Sequence, residues 1–239
     1  MNPDTRVAVC CYSGDGHAVA GNLALYQHHE CPITILSPED SKVTITRPGV
    51  DSRYAGKAAH IGQDSLDRQI EHLKILLQYP EKYFMIHDAD SFTLDPKFPD
   101  YLYANPDLVW SNQVNDNIPQ HQDTFPKGWP HVAFQPPYFL SRTTIEKMIA
   151  AAPSVVTSPM MPFIDYFMVQ LTYTAGLPWR RFQGCVCCPY NLAIKLVQTD
   201  GISIFHGIKQ PAQARALYEG RRQYLTQHTD APNRRGLKA

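Results

Sequence analysis

Residues 83–94, YFMIHDADSFTL, contain the strongest indication of the fold. Four apolar or aromatic residues come first, and two carboxylates, Asp88 and Asp90, follow two positions apart. A short apolar run is typical of a buried strand, and the polar residues after it indicate the strand's carboxyl end. In extended chain, side chains at positions i and i+2 point to the same side. We therefore expect Asp88 and Asp90 to converge on one point at the end of a central strand.

Strand-like and helix-like segments alternate around this stretch. Residues 6–12 and 32–36 are strand-like, and residues 17–29 between them carry apolar side chains at helical spacing. Such a connection indicates a parallel pair of strands joined by a crossover helix. Further helices are predicted at 64–79, 141–152 and 165–175, further strands at 107–114, 193–199 and 202–205, and a long loop at 115–137. The pattern predicts an α/β fold with a mostly parallel central sheet, flanking helices and a mixed second half.

Composition and charge exclude several classes of protein. The 239 residues include 22 Lys and Arg against 22 Asp and Glu, and 44% are hydrophobic. That apolar fraction is too high for a disordered chain, and a net charge of zero argues against a protein that coats DNA through bulk positive charge. No apolar run reaches the roughly 18–20 residues of a membrane span, and the N-terminus lacks a signal-peptide layout. We expect a cytoplasmic protein, bacterial or viral, without a membrane span.

The six cysteines do not have the spacing of a disulfide framework or of a zinc site. Cys10 and Cys11 lie inside a strand-like run, and Cys185, Cys187 and Cys188 lack the second pair that a zinc site needs. We expect reduced, partly buried thiols.

A second polar cluster follows a short apolar run near the end of the chain. Residues 201–210 read GISIFHGIKQ, where His206 ends the run, Gly207 permits close backbone approach and Lys209 follows. An imidazole can complete an oxygen-rich site for Mn²⁺ or Mg²⁺, and an ammonium group can contact a phosphate held there. The alternatives are a carboxylate pair that only caps a turn and a hydrogen-bonded strand-end histidine.

In order and spacing, residues 6–210 resemble nucleotide-sugar glycosyltransferases of the GT-A fold. The resemblance rests on the opening strand–helix–strand, on Asp88-Ala89-Asp90, and on His206-Gly207-x-Lys209. It implies a hexosyltransferase-class enzyme with one GT-A-like, Rossmann-like catalytic domain over residues 1–210. Residues 211–239 would form a basic C-terminal segment, a helix with a tail.

The resemblance implies roles for particular residues. Asp88, Asp90 and His206 would bind Mn²⁺ or Mg²⁺, and Asp88 and Lys209 would also contact the diphosphate of the donor, which we expect to be a UDP-sugar. The stretch MPFIDYF followed by AGLP resembles the family's acceptor-side helix, which implies Asp165 as the general base of an inverting reaction. The alternatives are Asp165 as a helix N-cap and a retaining reaction.

The nucleoside of the donor is expected at the end of the first strand, in the stretch Ser13-Gly14-Asp15-Gly16. Tyr12 could stack on the base, and Ser13 and Asp15 could hydrogen-bond to the nucleoside. Lys57 is a candidate contact to sugar or phosphate. Strand-end packing is the alternative for Tyr12, and an ordinary exposed lysine is the alternative for Lys57.

The acceptor is open between a glycan, a lipid-linked sugar, another small molecule, a protein and a hydroxymethylated base in phage-type DNA. Trp129, in the predicted loop, could be a stacking platform for it, near Asp165. From residue 206 onward seven Lys and Arg residues face two acidic ones, a net charge of +5. This charge, which includes Arg221 and Arg222, favours nucleic acid, whereas a solvated tail is the alternative.

Two other functions stay open. A haloacid-dehalogenase-type phosphatase also carries Asp-x-Asp after an apolar strand, and Asp88 would then be the covalent nucleophile. That motif normally lies on the first strand of its domain, with a later Asp-Asp pair that this sequence lacks. A non-enzymatic carbohydrate- or nucleic-acid-binding module would not need Asp88, Asp90 and His206 together.

Overall fold

The computed structural model describes residues 4–11, 15–26, 31–59, 62–94, 98–116, 132–155, 164–199 and 204–228. The strands in these ranges are β1 (Thr5–Cys10), β2 (Ile33–Ser37), β3 (Val50–Tyr54), β4 (Tyr83–Asp88), β5 (Phe92–Thr93), β6 (Val109–Asp116), β7 (Val132–Ser141), β8 (Trp179–Arg181), β9 (Cys185–Cys187) and β10 (Ile204–His206). The α-helices are α1 (Gly16–Tyr26), α2 (Gly62–Leu76), α3 (Arg142–Ala151), α4 (Ile164–Thr174), α5 (Tyr190–Leu196) and α6 (Pro211–His228).

Seven strands form one sheet in the order β3-β2-β1-β4-β7-β6-β8. The first four are parallel, β7 is antiparallel to both of its neighbours, and β8 is parallel to β6. The predicted α/β class, with a mostly parallel sheet and a mixed second half, is therefore confirmed. β1 and β4 are central, and their nearly continuous apolar sequences fit strands covered on both faces.

Helices cover both faces of this sheet. Helices α2, α3 and α4 contribute to the core on one face, and α1 contributes to the core on the other. On α2, Leu66, Ile70, Leu73 and Leu76 are buried at intervals of three and four residues, which is the spacing of one helical face. A second, small sheet, β5-β10-β9, packs with α5 and α6 in a third apolar cluster.

Helix α6 docks closely on α1. A Cβ atom built on Gly21 of α1 would lie 2.5 Å from the Cβ of Pro211, the first residue of α6. Only glycine permits this approach, because real Cβ contacts are never so short. The helical part of the basic segment therefore lies against the helix that borders the end of β1.

The strand predicted at 193–199 is wrong, because this stretch belongs mainly to helix α5. Ala193 and Val197, four residues apart, are buried, whereas Leu192 and Ile194 are 44% and 48% exposed. Burial at a spacing of four is helical, whereas a strand would bury alternate residues. Pro189 directly precedes the helix, and its fixed φ suits a helix start.

The loop predicted at 115–137 is partly wrong, because β7 already begins at Val132. Pro136 and Pro137 indicate a break, yet they lie at a shift of register between β6 and β7. On its other side, β7 pairs with β4 only from Tyr138 onward, so the missing N–H groups interrupt no regular ladder.

Among the described residues, no helix combines the length and the apolar character that crossing a membrane requires.

Candidate functional site

A tight turn at the carboxyl end of β4 holds Asp88 and Asp90. Asp88 is the last residue of β4 and pairs with Cys10, the last residue of β1. The backbone N–H of Ser91 donates to the Asp88 carbonyl at 3.0 Å. Because the turn begins where two central parallel strands end, both carboxylates lie at the sheet edge where α/β proteins bind ligands.

Helix α1 fixes this turn from a second direction. The buried side chain of Asn22 donates from Nδ2 to the carbonyl oxygen of Ala89 and, at 3.2 Å, to that of Ser91. These two hydrogen bonds restrain the backbone on both sides of Asp90. The sequence analysis missed Asn22, since nothing in its local pattern indicates a contact 67 residues away.

The small sheet brings His206 to the same turn. Strand β5, directly after the turn, is antiparallel to β10, and Phe92 pairs with Phe205. This register places His206 opposite Ser91, and Ser91 Oγ lies 2.6 Å from His206 Nδ1 although the residues are 115 positions apart. His206 Nδ1 also lies 3.5 Å from Asp90 Oδ1.

Asp88, Asp90 and His206 each offer one ligand atom, and these three atoms lie within 4.8 Å of one another. The Asp90 Oδ1 atom is buried and accepts no hydrogen bond within the described part of the chain. Two carboxylates this close repel unless a proton or a cation neutralises them. Carboxylate oxygens with one imidazole nitrogen suit Mn²⁺ or Mg²⁺, so the donor set fits the predicted ion.

Burial keeps the imidazole of His206 in its metal-binding form. Desolvation lowers the pKa of His206, Asp90 acts in the opposite direction, and Lys209 lowers it further. The net decrease favours the neutral ring at pH 7, and the neutral ring is the form that binds a metal.

Burial disfavours the thiolate form of the two cysteines at the end of β1. Burial, with the charge of Asp88 as a second cause, raises the pKa of Cys10 to about 12. Burial also raises the pKa of Cys11 well above its usual value. Both thiols therefore stay protonated, and only a thiolate binds metals or attacks electrophiles well.

A cavity of about 360 Å³ opens over the two carboxylates. Asp15, His17, Asp88, Asp90 and Lys209 line it together with Ala18 and Ala89. Its volume lies at the lower end of the range usual for small-molecule sites. The structure thus brings the predicted residues Asp15 and Lys209 to the carboxylates. The sequence analysis did not single out His17, at the start of α1.

A turn after β10 carries Lys209 to the cavity. Gly207 has φ +89°, a left-handed conformation that glycine adopts without strain. The N–H of Ile208 then donates to the Asp90 carbonyl at 3.2 Å, which ties this turn to the one after β4.

Lys57 is not among the residues that line this cavity. Its ammonium lies 3.5 Å from Asp64 Oδ2, and both side chains are more than half exposed. Its carbonyl accepts a hydrogen bond from the buried guanidinium of Arg68 at 2.9 Å. The contact of Lys57 to the sugar or phosphate of a donor therefore stays a prediction.

Several predicted residues fall outside what the structure describes. Tyr12, Ser13 and Trp129 lie outside the described residues, and of Asp165 only the backbone is described, in the first turn of α4. Helix α4 ends shortly before β8, which runs parallel to β4 through β7 and β6. The first turn of α4 therefore points toward the sheet edge that carries Asp88.

One basic residue that was expected to favour nucleic acid has a structural position instead. Arg221 is 1% exposed, and its Nη1 donates to the carbonyl oxygens of Val197 and Thr199 at 3.1 and 2.9 Å. A guanidinium buried in this way cannot reach a phosphate backbone. Arg215 and Arg222 of the same helix are exposed.

No protein-family model matches this chain, and no curated protein matches its sequence. A function for the protein must therefore be argued from the geometry of the cavity itself.

Proposed function

We propose that the protein is a metal-dependent glycosyltransferase of the GT-A type that moves a sugar from a nucleoside-diphosphate sugar to a hydroxyl acceptor, with a UDP-sugar as the donor. The observation that carries this proposal is the convergence of Asp88 and Asp90 with His206 in one cavity that Lys209 also lines. If the two carboxylates only capped a turn, they would not need His206 and Lys209 beside them. A sheet of mostly parallel strands with the cluster at their carboxyl edge is compatible with the GT-A fold.

Asp88, Asp90 and His206 would hold Mn²⁺ or Mg²⁺. Such an ion, when bound, neutralises charge on the diphosphate and so makes the nucleoside diphosphate a better leaving group. The residues supply a preformed site, since Asn22 restrains the turn and Ser91 orients the imidazole. Preformed ligands lose little conformational entropy when a ligand binds.

Lys209 and the first turn of α1 would bind the diphosphate directly. The Lys209 ammonium is a mobile point charge suited to phosphate oxygens. The amino end of α1 contributes His17 and Ala18 to the same cavity, and the unpaired N–H groups of a helix's first turn favour anions. Asp15, at the same end, would accept hydrogen bonds from the nucleoside.

Asp165 would act as the general base toward the acceptor hydroxyl and give an inverted product. The placement of the first turn of α4 at the edge that carries Asp88 supports this role. The acceptor would be a glycan, another small molecule, a protein or a hydroxymethylated DNA base. Exposed Arg215 and Arg222 on α6 support the nucleic-acid acceptor, whereas Arg221 does not.

Calorimetric titration of UDP and UDP-glucose, with and without Mn²⁺, tests the proposal. We expect binding to the wild type that depends on Mn²⁺ and is weakened at least roughly a hundredfold by Asp90→Ala. Asp67→Ala is the matched control, because Asp67 is an exposed carboxylate on α2, away from the cavity. Circular dichroism of each variant shows whether the fold is retained.

Donors with other bases make the test decisive. If UDP, GDP, CDP and dTDP all fail to bind in the presence of Mn²⁺, the glycosyltransferase proposal is wrong. Hydrolysis of a phosphate ester, abolished by Asp88→Asn, would then support the phosphatase alternative.

A further inference from the structure

A second cavity, of about 650 Å³, lies at the β8 edge of the large sheet. Its walls include Tyr101, Trp110, Trp179 and Arg180, and it shares no residue with the cavity over Asp88. Aromatic rings and a guanidinium around one opening are typical of a binding site for a small molecule.

The exposed ring in this cavity is held in place. Tyr101 is 40% exposed, yet its ring centroid lies 5.1 Å from that of Trp110 and 6.2 Å from that of Phe182. The backbone N–H groups of Gln183 and Gly184 donate to its hydroxyl. A partly exposed aromatic ring that its neighbours hold in place is preorganised for contact with a ligand.

Strand pairing adds a positive charge beside the rings. Trp110 pairs with Arg180 across β6 and β8, and neighbouring residues in register share one face of a sheet. Among the described residues, no hydrogen bond or ion pair engages the Arg180 guanidinium, which is exposed. Arg181 also lines the cavity, and its Nε donates to the Asn112 carbonyl at 3.2 Å.

The floor of the cavity also contains an unused hydrogen-bond donor. Trp110 is 8% exposed, and its indole Nε1 has no acceptor within the part of the chain that the structure describes. Buried donors of this kind are rare, because a buried N–H without an acceptor has lost its hydrogen bond to water and gained none in return. The indole Nε1 of Trp110 and the guanidinium of Arg180 could therefore both donate hydrogen bonds to an acceptor on a ligand.

We propose that the cavity formed by Tyr101, Trp110 and Arg180 binds a small ligand that joins a flat aromatic ring to an anionic group. The ring lies against Tyr101, and the anion contacts Arg180. Nucleotides and aryl carboxylates both have this chemistry. An apolar helix of a second protein does not, because it would bury the Arg180 charge without a partner.

The first experiment titrates AMP, adenosine, ribose 5-phosphate and 1-naphthoate into the full-length Asp90→Ala protein in EDTA. These conditions remove metal-dependent binding over Asp88, so that heat reports the second cavity. We expect AMP or naphthoate, or both, to bind with one-to-one stoichiometry, and the stronger of the two identifies the natural source of the chemistry. Adenosine and ribose 5-phosphate should bind at least roughly tenfold more weakly than AMP if the nucleotide is that source.

Two variants that each remove one positive charge locate the site. Arg180→Gln should weaken binding by roughly tenfold, the usual effect of losing one charge-assisted hydrogen bond. Lys195→Gln is the control, because Lys195 is an exposed cation on α5 that does not line the cavity, and its loss should leave binding unchanged. Tyr101→Ala should also weaken binding.

The proposal is wrong if neither AMP nor naphthoate binds, if Arg180→Gln and Lys195→Gln weaken binding equally, or if the neutral adenosine binds as tightly as AMP. Dimerisation of the protein that Tyr101→Ala abolishes, without binding of either anion, would assign the cavity to an interface between copies and would also overturn it.

Discussion

Charged side chains lie at both ends of the β1–β4 pair, buried at the amino end and half-buried at the carboxyl end, and their arrangement differs between the two ends. At the amino end, Arg6 of β1 donates to both carboxylate oxygens of Glu81 at 2.9 and 3.1 Å and to Thr34 Oγ1 at 2.9 Å. The Arg6 guanidinium also stacks 3.7 Å from the ring centroid of Tyr79. Every charged group there has a partner within the protein.

At the carboxyl end of the same strands, like charges meet. Asp88 and Asp90 converge there, and Asp90 Oδ1 accepts no hydrogen bond in the described ranges. Two carboxylates this close repel each other unless a proton or a cation neutralises one of them. The paired charges at the amino end stabilise the fold, whereas the repelling pair at the carboxyl end fits the proposed cation site.

Removing the buried Arg6 guanidinium at the amino end should lower the free energy of unfolding more than any other change considered below. Arg6→Met leaves the carboxylate of Glu81 buried without a partner, which typically costs about 3–5 kcal/mol of the free energy of unfolding. The double variant with Glu81→Leu should recover most of that loss, because it removes the unpaired charge. Urea denaturation measures both. Lys147→Met, which breaks an exposed pair with Asp107, should have little effect. Equal losses for Arg6→Met and Lys147→Met would contradict the comparison.

At the carboxyl end the same kind of substitution should have the opposite result. Asp90→Asn removes like-charge repulsion, so the free energy of unfolding without metal should stay equal or rise. Affinity for Mn²⁺ should fall about a hundredfold or more, and the rise in Tm that Mn²⁺ gives the wild type should disappear. Calorimetry and thermal unfolding with and without Mn²⁺ check this. A strongly destabilised Asp90→Asn protein would mean that Asp90 is a structural residue.

A buried histidine gives a third case for comparison, because within the described part of the chain it has no charged partner and lies away from both ends of the strands. His72 on α2 is 3% exposed, and both of its ring nitrogens lack partners among the described residues. Burial, assisted by the charge of Arg68, lowers the pKa of His72 from 6.5 to about 3. Such a group stays neutral in the folded protein over most of the acid range.

The sign of its pH effect follows from the two states. Below pH 6.5 the unfolded chain binds a proton at His72 that the folded protein does not bind until about pH 3. Stability is therefore lost as pH falls through this window, by up to about 1.4 kcal/mol per pH unit. Between pH 7 and pH 5 the wild type should lose about 2 kcal/mol more than His72→Leu, as measured by urea denaturation at each pH. Equal losses would contradict the assignment.

The sequence predicts best those strands and helices whose apolar residues form a clear local pattern. β1 and β4 are buried on both faces, and α2 buries one face, so local pattern and final position agree. β3 was missed because VDSRY at the sheet edge is only half-buried and has no apolar alternation. The three-residue strands β8 and β9 are too short for any period to be visible.

In the candidate site, the possible metal ligands could be predicted from the sequence, but the residues that hold them in place could not. Asp88, Asp90 and His206 stand out because carboxylates and an imidazole after apolar strands are unusual. Asn22 and Ser91 hold those groups in place, but they are common polar residues whose role depends on the approach of α1 and on the register of β5 with β10. The local sequence indicates neither the approach of α1 nor the register of β5 with β10. It likewise does not indicate that Arg221 is buried.

The smallest change in Mn²⁺ affinity is expected when Ser91, which contacts His206, is replaced. The pairing of Ser91 Oγ with His206 Nδ1 at 2.6 Å fixes the ring, and when Nδ1 donates to Ser91 the lone pair for a metal is on Nε2. Removing such an outer partner commonly weakens metal binding about 10–100-fold, so Ser91→Ala should reduce Mn²⁺ affinity about tenfold, less than Asp90→Asn does.

Two further variants separate orientation of His206 from simple loss of packing. Ser65→Ala removes a buried hydroxyl that has no hydrogen-bond partner in the described part of the chain, and it should leave Mn²⁺ affinity unchanged. Ser91→Thr keeps a hydroxyl and should restore most of the affinity. If Ser91→Ala lowers only the free energy of unfolding and leaves Mn²⁺ affinity intact, the hydroxyl supports the turn and not the imidazole. A tenfold loss that threonine restores would instead make the carboxyl end of β4 a site whose ligands are held ready before any ion arrives.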